Sequence, residues 1–177
     1  MLIGLIGSKG AGKTTAAQIL CLKHKFVIEP LAKPLKDMLK VILPDEAFLR
    51  NNIEEPLSIL QGKSPRYAMQ TLGAEWGRNC LGRDFWLDVW QCKVDKHLQL
   101  KRNVVCDDVR FPNECARIKR TFQGFLIKIS RPGPSKEDSH ISEYLWKLPD
   151  YYCYSIVNDG SFSQLEEKLA KLLPILC

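Results

Sequence analysis

An apolar run, Leu2-Ile-Gly-Leu-Ile6, passes without a break into Gly7-Ser-Lys-Gly-Ala-Gly-Lys-Thr-Thr15, and that join restricts the fold more than any other stretch. Consecutive apolar residues, in place of alternating ones, describe a parallel strand buried on both faces. Gly4 lowers the strand propensity of the run and predicts close packing at its position. Beyond the loop, Ala16, Ile19, Leu20 and Lys23 recur at helical spacing. The chain therefore turns from a buried strand into a helix through glycines 7, 10 and 12. Residues Gly7 to Thr14 match G-x-x-x-x-G-K-[ST] at every fixed position, in the strand-loop-helix order that the pattern requires. Such a loop can turn several backbone N–H groups inward, because glycine adopts conformations closed to other residues, and the positive end of a helix stands behind it. It is a cradle for a polyphosphate. Gly7, Ser8, Lys9, Gly10, Ala11, Gly12, Lys13, Thr14 and Thr15 are the candidate ligands of ATP or GTP, with Lys13 reaching the β- and γ-phosphates and Thr14 coordinating Mg2+.

A length of 177 residues suits one domain, with room for a small inserted region. The 26 basic and 20 acidic residues leave a net charge of +6, which favours anionic partners. The basic residues are dispersed, and the densest group, Arg117-Ile-Lys-Arg120, reads as one solvated helix face. Small phosphates therefore fit better than stable nucleic-acid binding. Seven cysteines, at 21, 80, 92, 106, 115, 153 and 177, are odd in number and contain no C-x-x-C pair, so they read as reduced thiols without a zinc site. The first apolar run is too short and uncharged for a signal peptide, and no stretch reaches the length of a membrane span. The expectation is a soluble cytoplasmic protein with no membrane partner.

Further strands are predicted at Phe26–Glu29, Asn103–Cys106, Gly124–Ile129 and Tyr154–Val157. Between the second and third, residues 45–100 hold only helical stretches: one near Asp45 to Arg50, one from Pro65 to Asn79 and one from Asp84 to Leu100. That block reads as an insertion on the sheet without a core of its own. A helix from Leu35 stops at Pro44, another runs to about Thr121, a short one is placed around Ser142 to Lys147, and an amphipathic one spans Phe162 to Leu173. Strands alternating with helices specify an α/β fold, a five-stranded parallel sheet with helices on both faces.

In such a sheet ligands bind at the carboxyl ends of the strands. The residues there are the glycine loop, Glu29-Pro30, Asp107 to Arg110, Arg131 and Asn158 to Ser161. An aspartate that ends an apolar strand can hold Mg2+ directly or through water. Asp107 and Asp108 both qualify, and since side chains alternate along a strand only one of them points toward the metal. Arg66, Arg78, Arg83, Arg110 and Arg131 can each clamp a phosphate, Arg110 and Arg131 most directly because they follow strands. Trp76, Phe85 and Trp86 can stack on a base, although core packing is the commoner use of such rings. His140 reads as an exposed loop residue.

Leu31-Ala-Lys-Pro-Leu-Lys36, Tyr67 to Arg78 with Phe85-Trp86, Asp108-Val-Arg-Phe-Pro-Asn-Glu114, His140-Ile-Ser-Glu143 and Asn158-Asp-Gly-Ser161 occur in this order over nearly the whole chain. The set resembles the bacteriophage-type deoxynucleoside monophosphate kinases. The resemblance implies a single P-loop kinase domain over residues 1–177, with a helical monophosphate-binding region at about 30–100 and a lid from Arg131 to about Lys147. It implies an adenine-side loop that adds Asn158, Asp159 and Gly160 to the nucleotide ligands, and catalytic roles for Lys13, Arg110, Arg131 and Asp108. It further implies that Lys36, Arg66, Gln70, Glu75, Trp76, Arg78, Trp86 and Arg110 meet the deoxynucleoside monophosphate. By the same resemblance Asp108 is preferred over Asp107 for Mg2+. Lys33 departs from the family pattern, which carries an acidic residue there.

The activity so implied is ATP- and Mg-dependent phosphorylation of deoxynucleoside monophosphates. The alternatives are a P-loop kinase for another small phosphorylated or hydroxyl acceptor and, from a different class, a nucleic-acid-associated ATPase. The Gly-x-Pro-Gly-x-Gly-Lys loop of adenylate kinases is absent, and Asn158-Asp-Gly-Ser161 is not the Asn-Lys-x-Asp of a GTPase. Base preference, ribose selectivity and oligomeric state, a homodimer included, stay open on sequence alone.

Overall fold

Strands β1 (Leu2–Ile6), β2 (Phe26–Ile28), β3 (Asn103–Cys106), β4 (Phe125–Ser130) and β5 (Tyr154–Val157) form one sheet in the order β2-β3-β1-β4-β5. Every pairing is parallel, with Ile3 opposite Val105 on one side and Phe125 on the other. The structure is a computed structural model that describes residues 1–49, 51–133 and 152–176. The predicted lid and its helix, with His140, lie outside the described residues apart from residues 131–133. The described helices are α1 (Lys13–His24), α2 (Lys33–Leu39), α3 (Pro65–Thr71), α4 (Phe85–Gln99), α5 (Pro112–Ala116) and α6 (Phe162–Leu172).

The chain divides into two compact units, Met1–Pro30 with Lys93–Cys177, and Leu31–Cys92. The first holds the sheet. Because β1 is central, side chains on both of its faces are withdrawn from water, as its unbroken apolar run requires. Ile3 and Leu5 join Ala16, Ala17, Ile19 and Leu20 of α1 and Leu165 and Leu169 of α6 in one core cluster. On the alternate face a Cβ at Gly4 would come within 2.7 Å of both Leu126 and Ile118, so the close packing predicted at this glycine is present. Each fully buried Ile or Leu contributes about 1.5–3 kcal/mol relative to exposure, so this layer fixes β1 and the loop after it in place.

Among its described residues the Leu31–Cys92 unit holds helices joined by turns and no strand, only an isolated bridge between Leu57 and Lys63, but it has an apolar cluster of its own that the sequence pattern did not foreshadow. Leu39, Leu43 and Ala47 pack with Leu57, Leu60, Ala68 and Met69. A single α-helix was expected over Pro65 to Asn79. Instead α3 gives way at Leu72 to a π-helix, Leu72–Leu81. The indole of Trp86 occupies the space beside this wider turn, donating from Nε1 to the Gly73 carbonyl at 3.1 Å. A Cβ at Gly77 would collide with the same indole. Among the described residues no helix is long and apolar enough to cross a membrane. Cys21, Cys80, Cys92, Cys106, Cys115 and Cys153 are free thiols.

Candidate active site

The loop between β1 and α1 is built as its glycines demand. Gly7, Gly10 and Gly12 have φ of 146°, 84° and 102°. Gly7 is needed for space as well, since a Cβ there would strike the carbonyl of Ile129 on β4. Lys13 folds back over the loop, donating from Nζ to the carbonyls of Gly7 at 2.6 Å and Ser8 at 2.9 Å. Its ammonium thus lies across the mouth of the backbone cradle, where a polyphosphate would be met.

Thr14 donates from its hydroxyl to Oδ2 of Asp107 at 2.8 Å. Asp108 turns elsewhere, with Oδ1 accepting from the Cys106 thiol at 3.3 Å. The geometry therefore departs from the preference for Asp108: the carboxylate paired with the Thr14 hydroxyl is Asp107. The reason is alternation at the end of β3, which sends neighbouring side chains to opposite faces. Burial, and secondarily the carboxylate of Asp108, pushes the Cys106 thiol well above its usual range, so it remains a neutral donor. A hydroxyl beside one carboxylate is a hard oxygen donor set that suits Mg2+, which takes few protein ligands and completes its shell with phosphate oxygens and water. No cluster of three or more His, Cys, Asp or Glu residues fit for a metal occurs among the described residues.

From the end of β5, Asn158 is buried and donates from Nδ2 to the Ala11 carbonyl at 2.9 Å. Asp159 is exposed, and the hydrogen bond and charge of Lys168, 2.5 Å away, hold its carboxyl below the ordinary aspartate range. Ser161 and Gln164 cap α6 reciprocally at 2.7 and 3.3 Å. Arg110 and Arg131 are exposed. The turn that presents Arg110 is shaped by buried Glu114, whose Oε2 accepts from the backbone N–H of Arg110 at 2.7 Å and of Phe111 at 3.0 Å. On sequence alone Glu114 figures only as the end of the Asp108-to-Glu114 stretch, without a role, and Lys168 is not named. An acid three residues after Phe111, at a helix start, is a readable signal for the first, while nothing local marks the second.

The sequence model of the family described as deoxynucleotide monophosphate kinase matches residues 41–169. The chain belongs to that family. A protein of Acanthamoeba polyphaga mimivirus, provisionally assigned as a deoxynucleotide monophosphate kinase, is 33% identical over 96% of this chain and 94% of its own length. The deoxynucleotide monophosphate kinase of Enterobacteria phage T4 is 29% identical over 71% of this chain, a match that spans 49% of the phage protein. Among solved structures, dephospho-CoA kinase from Campylobacter jejuni superposes with a TM-score of 0.57 at 14% identity, covering 98% of this chain and 95% of that one. Shikimate kinase from Aquifex aeolicus gives 0.55 at 14% identity, over 98% and 96%. These likenesses show the P-loop kinase fold, and the family makes the chain a nucleotide kinase.

Of the acceptor-side residues expected of a deoxynucleotide monophosphate kinase, all but Arg110 lie in the Leu31–Cys92 unit. Lys33 pairs with Asp37 one turn on, at 3.1 Å, and Lys36 is half-buried on the same helix. Arg66 is ion-paired with Glu54. Gln70 and Glu75 are exposed and Arg78 is half-buried. The two tryptophans separate: Trp86 is buried and engaged with Gly73, whereas Trp76 keeps 41% of its surface. Phe85 meets Trp76 edge-on at 5.6 Å between centroids, so the exposed ring is braced from behind.

Proposed function

We propose that this family member transfers the γ-phosphoryl group of ATP to a deoxynucleoside monophosphate, with Mg2+, giving ADP and the diphosphate. A nonbridging oxygen of the acceptor phosphate forms the new bond to the γ-phosphorus while the bond to the β,γ-bridging oxygen breaks, and ADP departs with that electron pair. The acceptor is largely a dianion at neutral pH, its second pKa being about 6, so no general base is required. The protein's work is positioning and neutralisation of charge. The observation that carries this reading is the Thr14 hydroxyl against Asp107 at 2.8 Å, one residue from a lysine already aimed into a complete phosphate loop.

In this reading the loop N–H groups and Lys13 hold the β- and γ-phosphates, and Thr14 with Asp107 supplies the Mg2+ ligands. When bound there, Mg2+ neutralises charge on the β- and γ-oxygens. Arg110 and Arg131 serve the transferring group from exposed turns. On the acceptor side, Lys36, Arg66 and Arg78 bind the monophosphate, Gln70 and Glu75 contribute polar contacts, and Trp76 offers the face for the base. Trp86 holds the π-helix that presents Trp76.

Coupled ADP formation with Mg-ATP tests this against dGMP, dTMP, dCMP, dAMP and their ribose counterparts, beside a control without acceptor. One or more deoxynucleotides should stimulate ADP release well above that control. No stimulation by any monophosphate overturns the acceptor assignment while leaving a phosphate-loop nucleotide site.

A further inference from the structure

We infer that Asn158 is a positioning residue for the phosphate loop, acting through the Ala11 carbonyl and not by contact with the nucleotide base. The inference rests on the proposal that the loop binds the ATP phosphates. Asn158 is 4% exposed, and its backbone N–H extends the β4–β5 ladder by one residue, donating to the Ser130 carbonyl at 2.7 Å. Its side chain crosses to a segment 147 residues away to donate to Ala11. A backbone carbonyl only accepts, so the amide nitrogen must face it.

The physical consequence lies in one peptide plane. The Ala11 C=O and the Gly12 N–H belong to the same planar trans unit and point in opposite directions. Drawing the carbonyl toward Asn158 aims the Gly12 N–H the other way. The amide also lies flush against Gly12, whose Cβ, if it had one, would collide with Nδ2. Glycine is therefore required here on two counts, its φ of 102° and the Asn158 amide. The platform under Asn158 is itself tied down: Lys168 Nζ donates to the Val157 carbonyl at 2.7 Å and to Asp159 at 2.5 Å.

Asn158→Asp and Asn158→Ala separate this role from its rivals. Asp matches Asn in shape but sets a carboxylate oxygen against the Ala11 carbonyl, so positioning predicts that Asp is worse than Ala. Plain packing predicts the reverse. The KM for ATP should rise about tenfold or more in Asn158→Asp, the scale of a buried polar group left mispaired, while the KM for the deoxynucleotide stays within about twofold. Inhibition by inorganic tripolyphosphate should weaken by the same factor as ATP binding, because the base plays no part. A folded Asn158→Asp enzyme with the native KM for ATP overturns the inference. So does a loss seen with ATP but absent with tripolyphosphate, which would mark a base contact. Amide exchange on the unaltered protein needs no variant: on adding tripolyphosphate, residues 8–14 and 158–160 should gain protection together, and protection confined to 8–14 overturns the coupling. If the unaltered enzyme neither uses ATP nor binds tripolyphosphate, the phosphate-loop reading fails instead, and the two failures are distinguishable.

Discussion

Around the phosphate loop the supporting side chains are wholly withdrawn from water, with Ile3, Leu5, Ala16, Ala17 and Ile129 all at 0% exposure. In Leu31–Cys92 the buried cluster around Leu39, Leu43 and Ala47 is smaller, and Val41 is 85% exposed, Ile59 62%, Leu49 57% and Ile42 55%. In the proposed reading the difference follows from what each region would use to recognise a ligand. A cradle of backbone N–H groups is only as accurate as the strand and helix that carry it, so it has to be backed by a packed core. Recognition by side chains on short helices, with 3-10 and π turns among them, tolerates a smaller core. The first region should therefore fail chemically when altered, and the second structurally.

Lys13→Ala should produce the largest effect on that contrast. It removes the ammonium and leaves the loop backbone, so kcat should fall by about 10³-fold or more while the melting temperature barely moves. Steady-state kinetics beside a thermal melt check it, and retained activity would sink the role given to the loop lysine. Next in size is Gly77→Ala, where the added methyl meets the Trp86 indole. Overpacking of this kind costs about 1–3 kcal/mol. Urea unfolding should show that loss, and the KM for the deoxynucleotide should rise while ADP binding is spared. A matching loss of ADP binding would break the contrast between the two regions.

The same contrast governs how much could be read from sequence. All five strands and the loop were legible, because buried parallel strands are nearly pure apolar runs and the cradle needs particular residues at fixed spacing. The choice between Asp107 and Asp108 was not, since alternation shows that one faces the loop without showing which. Asn158 could be placed at a strand end but not against Ala11, a partner 147 residues distant that no local pattern encodes. The π-helix at Leu72–Leu81 was read as α because the two share composition. The Trp86 indole packs against it, reaching back 13 residues to the Gly73 carbonyl, a contact that no local pattern announces.

Thiol chemistry offers a smaller test. Cys80 and Cys92 of the helical unit are exposed, as is Cys153, while Cys106 at the end of β3 and Cys115 in α5 are buried. Burial, with the Glu114 carboxylate adding to it, pushes the Cys115 thiol up to about 12. A thiol with that pKa is only about 10⁻⁴ thiolate at pH 8, and thiolate is the reactive form. Labelling the native protein with a thiol reagent should therefore modify Cys80, Cys92 and Cys153 first, with Cys106 and Cys115 reacting only on unfolding. Early labelling of Cys115, followed by peptide mapping, would contradict the tight packing assigned to this region.

Asp159→Asn should do least, and its smallness is informative. The carboxyl is exposed, and Lys168 lowers its pKa below 3.8 in the folded state. A depressed carboxyl contributes stability that is present above the unfolded value and lost as pH falls through the folded one. The variant should thus melt slightly below the parent at neutral pH, with the gap closing on acidification below pH 3.8 and shrinking in high salt. Lys168 would still donate to the Val157 carbonyl, and Asn158 to Ala11, so the KM for ATP should barely change. A rise in that KM comparable to the Asn158→Ala effect would move the hold on the phosphate loop from the neutral hydrogen bond to the exposed ion pair. Equality at all pH values would remove the pair from the account, leaving the neutral contacts as the means by which the loop after β5 keeps its shape.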